Sequence, residues 1–85
     1  MDRYHAMRVF VRIAETGGFA EAARQLHMSP PAVTRAVAAL EDLIGARLLT
    51  RTTRAVKLTE AGARYLEDCR HILAAIEEAE AAAAG

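Results

Sequence analysis

The side chains with the clearest capacity for chemistry lie in one short segment that begins with Ser29-Pro30-Pro31 and ends at Arg35. Arg35 carries a guanidinium, which can grip the O6 and N7 atoms of guanine together; a phosphate contact is the alternative. Thr34 can donate a hydrogen bond to a phosphate or touch a thymine methyl group, and Pro30 and Pro31 can make only apolar contacts. Ser29 can cap a helix, the more favoured role, or bind a phosphate. These residue types indicate nucleic-acid recognition rather than catalysis.

A second basic group is the segment TRTTR at residues 50–54, which lies between two short apolar runs. Threonine and branched residues here favour a pair of short strands with a basic tip, although an ordinary loop is the competing interpretation. Arg54 could reach a narrow minor groove, where A·T tracts concentrate negative potential. Thr53 is a weaker phosphate ligand. Arg51 could contact DNA or pair with an acid such as Glu41.

Three predicted helices must position these groups. The apolar spacing predicts helices over residues 3–16, 20–26 and 30–44. Ser29 is a suitable N-cap for the third helix, with proline at its first position, and Gly45 is suited to end it. His27 falls in the intervening turn, where a positive φ is often needed. The second and third helices have the layout of a helix-turn-helix.

The third helix has two chemically different faces. Its apolar stripe consists of Val33, Val37, Leu40 and Ile44. Its opposite face carries Pro31, Thr34, Arg35, Ala38 and Asp42. A folded core would take up the first face, so the second face is predicted to meet a partner.

A long final helix is predicted from Thr59, its cap, towards residue 83. Apolar residues recur at three- and four-residue steps, which is the spacing of a coiled-coil seam. The predicted dimer contacts are Tyr65, Leu66, Cys69, Ile72, Leu73 and Ile76. Packing of the first half against the head is an equally weighted alternative for Leu66, whereas a partner helix is favoured for Ile72, Leu73 and Ile76.

Charge and composition set the class of protein. The 85 residues are enough for one domain and carry no net charge, but residues 1–58 hold nine basic and five acidic side chains, against two and six in residues 59–85. A basic head and an acidic tail suit a polyanion-binding unit on a helical stem, although charge alone favours ordinary solvated side chains as the explanation. The single cysteine, Cys69, suits a reducing compartment. No run reaches the length of a signal peptide or membrane span, so a cytoplasmic, nucleoid-associated protein is expected.

Catalysis and metal binding have little support. His5, His27 and His71 stand far apart, and Cys69-Arg70-His71 lacks the spacing of zinc ligands. No phosphate-binding loop follows Gly17-Gly18. We therefore expect no enzyme, no cofactor and no metal.

Several motifs in sequence order resemble the LysR-type transcriptional regulators. In the first two helices, the residues that carry the resemblance are Met7, Phe10, Ile13-Ala14-Glu15, Phe19, Ala22-Ala23 and Leu26. In the third helix they are residues 29–35, Leu40-Glu41 and Gly45. In the wing and the following helix they are residues 47–54 and 58–62. This chain differs from the family pattern at Pro30, where many members have glutamine. It also differs at Ala20 and Gly18, where residues with a hydroxyl group are common.

The resemblance implies a mainly α fold: a winged helix-turn-helix head over residues 1–58, comprising three helices and a short β-hairpin wing, then a dimerising linker helix over residues 59–85. It implies sequence-specific binding of double-stranded DNA by a homodimer at an inverted repeat, with residues 30–44 in the major groove and about 50–56 at the minor groove. Family members pair their linker helices antiparallel, continue into an effector-binding domain that we expect this chain to lack, and usually form tetramers. The alternatives are another winged-helix head, such as that of molybdate-responsive repressors, or a pure dimerisation module.

Overall fold

The structure is a computed structural model that describes residues 2–52 and 55–85. Within those residues the chain forms four helices and one two-stranded hairpin, as the sequence predicted. The elements in order are α1 (Arg3–Thr16), α2 (Phe19–Leu26), α3 (Pro30–Ile44), β1 (Leu49–Arg51), β2 (Val56–Leu58) and α4 (Glu60–Ala84). The predicted winged helix-turn-helix architecture with a long final helix is confirmed.

The ends of α3 are fixed by local backbone chemistry. The Ser29 hydroxyl accepts a hydrogen bond from the Ala32 amide at 3.2 Å, and proline occupies the first helical positions, where its missing N–H costs nothing. His27 adopts φ 56° in the preceding turn, and Gly45 ends the helix at φ 80°. The start, the end and the turn of this helix-turn-helix therefore lie where the sequence predicted them.

The core of the head forms around α1. Val9, Phe10 and Ile13 are fully buried, and Val33 and Leu40 from α3 meet them in one apolar cluster. Ile44, which was predicted to continue the α3 stripe, is instead 41% exposed. The packed part of α3 thus ends one turn earlier than the spacing indicated.

The wing is an antiparallel hairpin. β1 pairs with β2 through Leu49 opposite Leu58, Thr50 opposite Lys57 and Arg51 opposite Val56. Leu49 is 3% exposed and joins the core, so the hairpin is attached to the head at its base. The outer end of the wing is closed by the amide of Thr52, which donates to the Ala55 carbonyl at 2.9 Å.

The first half of α4 packs against the head, which is the alternative that the sequence offered for Leu66. Leu66 is 7% exposed and Cys69 is 0% exposed within the single chain, so these two side chains leave little or no surface for a partner. The reason is geometric. At 100° per residue, Gly62, Leu66, Cys69 and Leu73 form one line along the helix, and this line faces the core. Ile72 lies to one side of it and is 46% exposed.

Two further features concern membranes and metals. Among the described residues, no helix has the length and apolar character needed to cross a bilayer. The same residues contain no cluster of three histidine, cysteine or acidic side chains arranged to hold a metal ion.

Candidate nucleic-acid interface

The outer face of α3 is the most distinctive surface of the head. Pro30, Pro31, Thr34 and Arg35 are all exposed, while Val33 and Val37 on the opposite side are buried. The helix therefore separates an apolar inner face from a polar outer face, as its sequence predicted. Ala38 and Asp42 continue the outer face towards the end of the helix.

Arg35 has a free guanidinium in the part of the chain that the structure describes. Other arginines there are engaged: Arg24 pairs with Glu21, Arg64 with Glu60, and Arg70 approaches Glu15. Arg35 makes no ion pair or side-chain hydrogen bond with residues 2–52 or 55–85. Its five N–H donors in a planar fork therefore remain available to an outside acceptor.

Thr34 and Ser29 present less hydrogen-bonding capacity than their residue types suggest. The Thr34 hydroxyl donates to the Pro30 carbonyl one turn earlier, at 3.1 Å. Its proton is therefore used within the helix in this conformation. The contact of Thr34 with a phosphate or a thymine methyl group stays a prediction. Ser29 uses its oxygen as an acceptor in the helix cap, which leaves its O–H free to donate.

Arg51 is held by an aromatic ring rather than by an acid. Its guanidinium carbon lies 4.0 Å from the centre of the Phe19 ring at the start of α2, a cation–π contact between wing and head. The alternative that paired Arg51 with Glu41 is wrong, because Glu41 contacts Arg47 and the backbone instead. Thr53 and Arg54, the other predicted contacts of the wing, lie outside the described residues.

The recognition face and the wing border one hollow. Thr34, Ala38 and Glu41 from α3 line it on one side, and Leu49 and Arg51 from β1 line it on the other. The structure therefore brings together Thr34 and Arg51, which are far apart in sequence. Helix and hairpin form one continuous surface on this side of the head.

Sequence reasoning gave Glu41 only a possible pairing with Arg51 and missed its role on this surface. Its carboxylate accepts hydrogen bonds from the amides of Leu48 and Leu49, at 2.7 and 3.2 Å. The available signal was its position directly after the buried Leu40, since a carboxylate close to a core must find donors. Which donors it finds depends on where the chain returns after Gly45.

The six predicted dimer contacts divide into two sets. Tyr65 packs its ring against Phe10 at 5.6 Å between centroids, and Leu73 is partly buried on the same core as Leu66 and Cys69. Burial raises the pKa of Tyr65 to about 12, with a further contribution from the neighbouring Cys69. Burial likewise raises the pKa of the Cys69 thiol, which stays protonated. Ile72 is exposed and Ile76 is partly exposed, so these two side chains keep apolar surface for a partner.

Comparison with known proteins agrees with this architecture. The model of the family described as bacterial regulatory helix-turn-helix protein, lysR family, matches residues 4–63. The chain is 48% identical over 71 residues to the HTH-type transcriptional regulator TfdT of Cupriavidus pinatubonensis, covering 84% of this chain and 31% of that protein.

Two solved structures of DNA complexes are similar to the whole chain. The CbnR DBD–DNA complex is 40% identical with a TM-score of 0.90, and the match covers 100% of both chains. The BenM DBD bound to catB site 1 DNA is 28% identical with a TM-score of 0.92, covering 98% of this chain and 91% of that one. By contrast, the chain spans about a third or less of the length of the curated relatives it matches.

Proposed function

Because the chain belongs to the LysR family of bacterial regulatory helix-turn-helix proteins, we propose that it binds double-stranded DNA and reads its sequence. The observation that carries the proposal is the outer face of α3, where Arg35 is exposed beside the apolar Pro30 and Pro31 and has no partner among residues 2–52 and 55–85. A helix of this kind fits the major groove, which is wide enough to admit it. The similar CbnR and BenM domains were solved in complex with DNA.

Each contact has a distinct task in this proposal. Arg35 donates two hydrogen bonds to guanine, and Pro30 and Pro31 pack on a thymine methyl group. The Ser29 O–H and Arg51 contact phosphates, which give affinity and register but no base sequence. Arg54 enters the adjacent minor groove.

The proposed active species is a homodimer joined through α4. Ile72 beside the covered line of α4 and Ile76 after it offer apolar surface, and residues 77–85 are exposed along their whole length. Two heads related by a two-fold axis require an inverted-repeat site, with half-sites in successive major grooves about 34–36 Å apart. For the whole protein we propose a transcriptional regulator with an effector-binding domain beyond this chain, assembled as a tetramer.

Selection of duplexes from a random pool by the purified chain tests the function. We expect an enriched inverted repeat, and binding that weakens with salt at a log–log slope of about −0.9 per phosphate neutralised. A pure dimerisation module, the competing function, would enrich no sequence and show a flat salt response. Either result would overturn the proposal.

A further inference from the structure

Residues 47–49, the end of the connection from α3 together with the first residue of the wing, are held from both sides. On the α3 side, one carboxylate oxygen of Glu41 accepts from the amides of Leu48 and Leu49, and the Arg47 Nε lies 3.7 Å from the same oxygen. The Glu41 side chain is only 15% exposed, so these donors replace most of its water. This segment, residues 47–49, is therefore attached to the recognition helix by a charge-assisted contact.

The same segment is attached to the start of α4. The Thr59 amide donates to the Leu48 carbonyl at 3.0 Å, and the Thr59 hydroxyl donates to the Arg47 carbonyl at 2.6 Å. Gly62 lies against Leu48 so closely that a Cβ would stand 2.0 Å from the Leu48 carbonyl oxygen. Only Glu41, however, links the segment to α3 through hydrogen bonds of its side chain among the described residues.

The point of attachment decides where the wing leaves the head. Leu49 is the first residue of β1, so the amide that Glu41 holds is the first of the hairpin. From there β1 runs only to Arg51 before the wing turns. A small change in the backbone angle at Leu49 therefore displaces the outer end of this two-stranded hairpin.

We propose that Glu41 is a positioning residue that fixes the wing relative to the recognition helix, so that the two reach adjacent grooves at the same time. The inference rests on the proposed DNA binding. Glu41 does not touch DNA in this proposal, because its acceptor oxygen faces the backbone of residues 48 and 49. It acts by holding the backbone of residues 48 and 49 in place rather than by attracting or repelling DNA.

Two substitutions separate geometry from charge. Glu41→Gln removes the charge but keeps an acceptor oxygen at the same reach, and one oxygen holds both amides. Glu41→Asp keeps the charge but is shorter by one methylene, so its oxygens cannot hold the amides at the same distance. Asp42→Asn is the matched control, because Asp42 is the neighbouring carboxylate, is exposed, and lies on the outer face of the same helix.

Dimethyl sulfate footprinting of the selected duplex reports both grooves, because the reagent methylates guanine N7 in the major groove and adenine N3 in the minor groove. We expect Glu41→Asp to retain protection of guanine N7, to lose at least half of the protection of adenine N3 beside the wing, and to bind about tenfold more weakly. Glu41→Gln and Asp42→Asn should give the wild-type pattern in both grooves. Circular dichroism melts establish that each variant is folded at the temperature of the footprint.

Three results would overturn the positioning role. If a folded Glu41→Asp chain lost protection equally in both grooves, α3 itself would be displaced. Wild-type footprints for Glu41→Asp would mean that the wing does not depend on this contact. A large change in Glu41→Gln alone would assign the effect to charge. Absence of any footprint with the wild-type chain would instead refute the proposed DNA binding, and the positioning role with it.

Discussion

Arg35 is the residue on which the proposed reading of sequence depends. It is exposed, and its guanidinium has no partner in the described part of the chain, unlike those of Arg24, Arg64 and Arg70, which contact acids of the same chain. A planar fork of donors is matched to guanine in the major groove, and no other base presents two acceptors at that spacing. The contact should therefore carry specificity as well as affinity.

Replacing Arg35 by alanine should weaken binding to the selected site by about 1–3 kcal/mol and relax the preference at one base position. Binding to random duplex should fall much less, which gel shifts at one fixed salt concentration can measure. Arg64→Ala, on the exposed side of α4, serves as the control for loss of one positive charge. An equal loss on specific and random DNA would reassign Arg35 to a phosphate.

At the scale of elements, the junction of the wing with α4 depends on a close backbone approach. Gly62 is buried, and a Cβ there would overlap the Leu48 carbonyl group, which is part of the backbone and cannot rotate away. The sequence indicated only a helical position on an apolar stripe. The absence of a side chain is what allows α4 to begin beside residues 47–49.

We expect Gly62→Ala to destabilise the fold by about 1–3 kcal/mol or more, as overpacking against fixed backbone does. Urea unfolding followed by circular dichroism measures this free energy. Gly18→Ser is the control, because Gly18 has open space around its Cα and an extended φ of −166°. Serine at this helix cap should change stability by only a few tenths of a kcal/mol. Similar stability of Gly62→Ala and wild type would contradict the close approach.

At the scale of the whole molecule, the last third of α4 extends away from the head. The molecule measures 46 × 26 × 22 Å, and the long dimension reflects this helix. Because Leu66 and Cys69 are committed to the head, the proposed dimer contact shifts to Ile72 and Ile76. In this proposal, the dimer uses Ile72 on the side of the buried line and Ile76 beyond its buried part, whereas the head uses Leu66 and Cys69.

Replacing Ile72 by aspartate should weaken the dimer at least tenfold, because burying one such apolar side chain contributes about 1.5–3 kcal/mol and each 1.4 kcal/mol is a factor of ten. Sedimentation equilibrium measures the dissociation constant. Ala81→Asp is the control, since nine residues along a helix place it on the opposite side.

The Cys69 thiol supplies a second measurement on the same variants. It should remain unreactive towards a thiol reagent in the dissociated chain, because the head alone buries it and its pKa is raised. Rapid labelling upon dissociation, without unfolding, would restore Cys69 to the dimer contact.

The sequence by itself determined the elements and the chemistry of one face. Ser29-Pro30, His27 and Gly45 encode the turn and both ends of α3 through local backbone preferences, which need no distant partner. The three- and four-residue spacing placed Val33, Val37 and Leu40 inside and Arg35 outside, because a helix has a fixed period.

Only the tertiary structure decided which groups meet across the fold. The stacking of Arg51 on Phe19, the binding of two amides by Glu41, and the close approach of Gly62 to Leu48 join residues from different elements. The stripe on α4 was visible in the sequence, but its division between the head and a free strip was not. Periodicity gives the face of a helix, whereas the neighbour that covers it follows from how the elements pack.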